Sequence, residues 1–125
     1  TLSKFNEILE TCPKGKSLPR EFREKYNIKK QCFTPLHPGE LSKTITTLPD
    51  DLLHYNEPRI LTVRECARLQ TFPDWFEFKG TKSSQFYQIG NAVPPMMSFY
   101  LGLSFRDYLE GTKLSHKAED QLSLF

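Results

Sequence analysis

The rhythm of apolar and polar positions changes along this chain, and the second half carries the firmer pattern. Leu2, Phe5, Ile8 and Leu9 recur at the spacing of one helix face. Cys12-Pro13 closes that run, because proline cannot supply the next helical amide. Residues 14–38 mix Lys, Pro and scattered aromatics, among which Phe22 and Tyr26, four apart, suggest a short helix over residues 19–26. Residues 42–47 are rich in β-branched side chains and lie between Pro38-Gly39 and Pro49-Asp50, which predicts a strand. In Leu61-Thr62-Val63-Arg64-Glu65-Cys66 the Thr62 hydroxyl and the Glu65 carboxylate have the spacing of a capping box, with Leu61 and Cys66 at the two staple positions. The helix that starts there is expected to run to Gln70 and stop before Phe72-Pro73-Asp74. Trp75, Phe76 and Phe78 then fall in a short turn or strand. A last helix opens at Pro94 or Pro95, carries Met97, Tyr100, Leu101, Phe105, Tyr108 and Leu109, and ends at Gly111. Residues 112–125 read as a polar tail, and no internal repeat interrupts the pattern.

Composition narrows the class. A chain of 125 residues with 38% apolar side chains is at most about one domain. Its ten Phe, five Tyr and single Trp offer more buriable surface than a disordered chain would have, while nine Pro and six Gly imply much irregular backbone. No apolar run reaches the roughly 18 residues of a membrane span. The formal charge of +2 is too mild to announce a nucleic-acid or membrane partner, but residues 1–32 hold eight cations against four anions. A solvated helix face explains such a segment as often as a phosphate-binding patch does. Cys12, Cys32 and Cys66 are odd in number and widely spaced, without metal-ligand spacing, and read as reduced thiols of a cytoplasmic protein. The first residue is Thr1 and no signal segment follows, so the chain is expected to be processed or cut from something longer.

The candidate chemistry lies in Gln88-Ile89-Gly90-Asn91-Ala92-Val93-Pro94-Pro95. Gly90 permits close backbone approach or positive φ, and Asn91 offers a donor and an acceptor just outside an apolar helix. Such a turn faces a ligand or simply caps a helix; these eight residues by themselves fit both readings. The stretch from Arg59-Ile60-Leu61-Thr62-Val63-Arg64-Glu65-Cys66 through Ala67-Arg68-Leu69-Gln70-Thr71-Phe72-Pro73-Asp74, followed by Tyr87-Gln88-Ile89-Gly90-Asn91-Ala92-Val93-Pro94-Pro95, closely resembles the last two motifs of the DNA (cytosine-5)-methyltransferases. Residues from His37-Pro38 through Thr44-Ile45-Thr46-Thr47 resemble the end of that family's target recognition domain. One departure is Thr71, where a glycine usually precedes the Phe-Pro pair.

The resemblance implies an α+β fragment: an irregular β-containing recognition segment followed by two helices, completing a Rossmann-like α/β methyltransferase fold. Residues 1–58 would be part of the target recognition domain, 59–78 its support helix, 79–111 the cofactor-pocket loop and returning helix, and 112–125 the tail. Arg59, Arg64, Glu65 and Arg68 would be the polar members of the support, against the alternative of an ordinary solvated helix face. Asn91, Ala92 and Val93 would border S-adenosyl-L-methionine. Ser84 and Gln85 would touch DNA phosphate, unless they are plain surface. The implied partners are double-stranded DNA and the amino-terminal catalytic part of the methyltransferase, in the same chain or a separate one, of the kind found in restriction–modification systems; no metal and no membrane are implied.

The family's nucleophile is a Pro-Cys pair that attacks C6 of the base, assisted by a Glu-Asn-Val glutamate and served by a glycine-rich donor loop. None of the three occurs in this sequence; Cys12-Pro13 has the reverse order. The expectation is therefore no catalytic residue in this chain, with methyl transfer to C5 of cytosine depending on the other part, because a flipped base needs a closed pocket. The alternative is an inert DNA-binding or regulatory module of the same shape.

Overall fold

The computed structural model describes residues 2–29, 33–47 and 51–111. In chain order these form α1 (Leu2–Thr11), α2 (Arg20–Lys25), β1 (Thr34–Pro35), β2 (Leu52–Leu53), α3 (Val63–Leu69), α4 (Lys82–Asn91) and α5 (Pro95–Leu109). The first helices form where the apolar spacing expects them. Phe5, Ile8, Leu9 and Cys12 gather with Leu18, Phe22, Ile28, Phe33 and Leu53 into one apolar cluster. Lys25 and the Tyr26 hydroxyl both reach Glu7, which ties α2 to α1.

Strands β1 and β2 pair in parallel, Thr34 with Leu52 and Pro35 with Leu53. Successive residues of a strand point to opposite faces. Leu53 therefore enters the α1 cluster, while Leu52 enters a second one with Ile45, Leu61, Cys66, Ala67, Phe86 and Ile89. The short ladder is the seam between two cores. The second core crosses the expected boundary at residue 58, since Ile45 and Leu52 pack with residues of α3 and α4.

Two sequence expectations are corrected here. Residues 42–47 form no strand. Ser42 and Thr46 spend their hydroxyls on Lys43 O and Asp51 Oδ2, local bonds that compete with a ladder, and Ile45 pins the segment into the second core. Residues 82–91, expected as a loop and turn, form α4, so the carboxyl-terminal half holds three helices among the described residues rather than two. Gly90 is accordingly a residue of the last turn of a helix and takes no positive φ. Trp75 lies in a turn and Phe76 and Phe78 in the irregular chain after it, with the Phe72, Phe76 and Phe78 rings 4.9–5.1 Å apart in edge-to-face and tilted pairs. The tail expected at 112–125 and Cys32 lie outside the described residues.

Candidate functional site

The site is built around α3. Its start is the capping box the sequence spells: Glu65 N donates to Thr62 Oγ1 at 3.2 Å, and Thr62 N donates to a Glu65 carboxylate oxygen at 2.7 Å. The same carboxylate receives both Arg59 Nη atoms at 2.7 Å. Arg59 in turn donates to Glu57 and to Ile60 O, and its carbonyl accepts from His54 N. One arginine thus fastens the loop before α3 to the helix. The Arg59 guanidinium holds the Glu65 carboxyl down at about 2, and the Glu65 carboxylate in turn pushes the Arg59 guanidinium above its ordinary value. On the other side Arg64 donates to Pro73 O and Phe76 O, and Arg68 pairs with Asp74 through two bonds of 2.6 and 2.8 Å. The four residues expected as a polar support therefore hold the chain on both flanks of one short helix.

Burial raises the Cys66 thiol to about 11 and moves Cys12 in the same direction, so both are packing residues rather than nucleophiles at neutral pH. Neither is in a disulfide.

The Asn91 turn lies at the far end of α4. Thr81 caps that helix by accepting from Ser84 N, and Phe86 and Ile89 bury its inner face against Cys66 and Ala67. A Cβ on Gly90 would stand 2.5 Å from Thr47 N and 2.6 Å from Thr46 C, so only glycine lets the 46–47 backbone cross the helix there. Asn91 and Val93 are exposed, Ala92 is half-buried, and the Asn91 amide makes no hydrogen bond among the described residues. An unspent amide beside small apolar side chains fits one wall of a pocket for a ligand with both polar edges and apolar faces.

Ser84 and Gln85 sit near the other end of α4, about 10 Å from Asn91 at 1.5 Å per residue. The structure thus does not bring them to the turn. Gln85 Nε2 donates to Phe78 O and Gly80 O, fixing the preceding loop, while Ser84 Oγ accepts from Gln88 and is exposed. A cleft of about 540 Å³ opens beside them, lined by Arg59, Leu61, Arg64, Lys82 and Phe86 among others. No group of three His, Cys, Asp or Glu side chains is placed to hold a metal ion among the described residues.

Two contributors escape a reading of the sequence. Gln70, the C-cap of α3, donates its amide to Ile89 O at 3.2 Å and Ala92 O at 3.1 Å. Thr71 accepts from Met96 N at 3.2 Å. Both act across 19 to 25 residues, which no local pattern encodes. Thr81 was findable as a cap, but Ser84 at the third helical position offers no capping box and Gly90 argues locally against a helix.

Comparison with known proteins shows the family. The model of the C-5 cytosine-specific DNA methylase family matches residues 4–105. This chain belongs to that family. It is 41% identical over 101 residues to the type II methyltransferase M.AplI of Arthrospira platensis, covering 72% of this chain and 29% of that protein. With type II methyltransferase M.Eco47II of Escherichia coli the identity is 39% over 113 residues, or 78% of this chain and 27% of the relative. DNA (cytosine-5)-methyltransferase 2 of Arabidopsis thaliana is 54% identical over 56 residues, 45% of this chain and 4% of its own length. The methylase chain therefore spans less than a third of each of these relatives. No solved structure matches it. No helix among its described residues is long and apolar enough to cross a membrane.

Proposed function

We propose that this methylase chain is the carboxyl-terminal portion of a DNA (cytosine-5)-methyltransferase, whose catalytic cysteine and glutamate come from another part of the enzyme. Residues 1–58 belong to target recognition, α3 with Arg59, Arg64, Glu65 and Arg68 supports them, and the Asn91 turn with α5 closes the donor pocket. The observation that carries this reading is the pairing of an unspent Asn91 amide with an uncovered helix. On α5, Met97, Leu101, Phe105 and Tyr108 form one stripe, and all four are exposed. An apolar stripe of this size on an otherwise charged chain marks an interface, and the helix starts two residues past the turn it would position.

S-adenosylmethionine supplies the electrophilic methyl group when bound. Asn91 offers the ligand a donor and an acceptor, and Ala92 and Val93 supply apolar surface that keeps water from that wall. Phosphate only accepts hydrogen bonds, and both Gln85 amide hydrogens are committed to carbonyls. Ser84 is therefore the stronger DNA contact of the pair, and Gln85 acts by shaping the loop. The cations of the first 32 residues favour the alternative of a self-sufficient DNA-binding module only weakly, because Arg20 and Lys25 are already paired with Glu24 and Glu7.

Assembly with the amino-terminal catalytic part of the same enzyme tests the reading. Labelled methyl should pass from S-adenosylmethionine to cytosine in duplex DNA only when both parts are present. No transfer above either part alone would overturn it.

A further inference from the structure

We propose that Gln70 and Thr71 form a latch that positions the Asn91–Val93 turn, making them positioning residues for methyl-donor binding; this rests on the pocket reading given above. The turn has little backbone anchorage of its own. Ala92 N returns to Ile89 O, but Pro94 and Pro95 carry no amide hydrogen. Ala92 and Pro94 are extended, so no helical bonds cross the junction. Fixed points on both sides come instead from the end of α3. Gln70 holds Ile89 O and Ala92 O with its two amide hydrogens, one on each. The next residue, Thr71, accepts the first available amide of α5, that of Met96. Adjacent side chains thus grip the turn before and after Asn91.

The physical consequence is directional. Gln70 and Thr71 are part of the loop that follows α3, and Arg64 and Arg68 lock that loop to Pro73, Asp74 and Phe76. Any movement of α3 relative to α4 is transmitted to the turn through these three bonds rather than through the apolar core alone. Both residues are half-buried, with the Gln70 amide hydrogens and the Thr71 hydroxyl oxygen engaged on backbone atoms, so their action on a ligand runs through the turn.

Gln70→Met keeps the length of the side chain and removes its donors; Thr71→Val keeps the shape and removes the acceptor, while Thr71→Ser retains it. Each is examined in the assembled enzyme by hydrogen exchange and by titration with S-adenosylmethionine. The latch predicts faster exchange confined to residues 89–98 in the Met and Val variants and near-normal exchange in the Ser variant. It also predicts a donor affinity lowered about tenfold, the scale of one or two lost hydrogen bonds, with DNA affinity unchanged. Unchanged exchange at 89–98 in both variants overturns the latch, whatever the donor affinity. Local loosening without a change in donor affinity, where Asn91→Ala does weaken it, overturns the positioning role. Failure of the unsubstituted enzyme to bind the donor would instead strike the pocket reading, and it is recognised separately by that control.

Discussion

Thr71 sits at φ +64°, a left-handed conformation in which a β-branched side chain crowds its own backbone. The position is the one where the family usually carries glycine, and the structure gives the reason: the chain must reverse after α3 to bring Phe72 N back to Ala67 O. Threonine is tolerated because its hydroxyl accepts from Met96 N. Comparing Thr71→Ala with Thr71→Gly separates the two effects, since both remove the hydroxyl. The glycine variant should be the more stable by about 1 kcal/mol in urea unfolding, the cost of a left-handed Cβ; equal stabilities would show the backbone there to be unstrained. Glu65 gives a second test at this scale. Its carboxyl falls from an ordinary 4.5 to about 2 in the fold, first because Arg59 bonds the charged form. A depressed carboxyl contributes stability that is complete above the unfolded value and is lost as pH falls through the folded one. Stability should therefore decline between about pH 4.5 and pH 2 by an amount that Glu65→Gln abolishes, about 1 kcal/mol after allowing for the partial exposure of both partners. An unchanged acid profile in the Gln variant would remove this pair from the stability of the fold.

At the scale of elements, α4 is the unexpected one, and its crossing by the 46–47 backbone explains both Gly90 and the missing strand. Gly90→Ala places a methyl group against backbone that cannot rotate away. It should cost about 1–3 kcal/mol, the range of an overpacked core, despite the better helix propensity of alanine. Thermal unfolding checks this; a stabilised variant would mean that the 46–47 strap lifts freely. The elements legible in the sequence are those whose signals are local. The α3 capping box needs only Thr62 and Glu65, α1 only its apolar spacing, and the opening of α5 only Pro94 and Pro95. Arg59, Arg64, Glu65 and Arg68 were singled out through the family motif, and what the structure adds is their partners on either side of α3. What stayed hidden was set by partners distant along the chain. Residues 42–47 have the composition of a strand but meet the side of α4 instead of another strand, and of the two uses open to Gly90, close backbone approach and positive φ, the partner that selects the first lies more than 40 residues away along the chain. Gln70 was invisible because its partners, Ile89 O and Ala92 O, are backbone atoms without a sequence signature.

For the whole molecule, the distribution of apolar surface is the decisive feature. Two cores meet at the Leu52–Leu53 seam and enclose α1 to α4, yet α5 presents Phe105 and Tyr108 at 67% and 81% exposure. Its opposite side, with Met96, Tyr100, Leu103 and Asp107, is the more sheltered, so the helix is apolar on a face that nothing among the described residues covers. That asymmetry predicts opposite consequences for one substitution in two settings. Replacing Leu101 and Phe105 by serine removes side chains that are 46% and 67% exposed, and the stability of this chain should change by no more than about 0.5 kcal/mol for each. In the assembled methyltransferase the same pair should abolish association with the catalytic part, because a buried interface loses its central apolar contacts and gains two hydroxyls without partners. Co-purification of tagged catalytic part with this chain reads the second effect, and urea unfolding of the chain reads the first. Retained association would show that α5 is not the seat of the catalytic part, and a large loss of stability in the chain alone would show that its own residues cover the stripe.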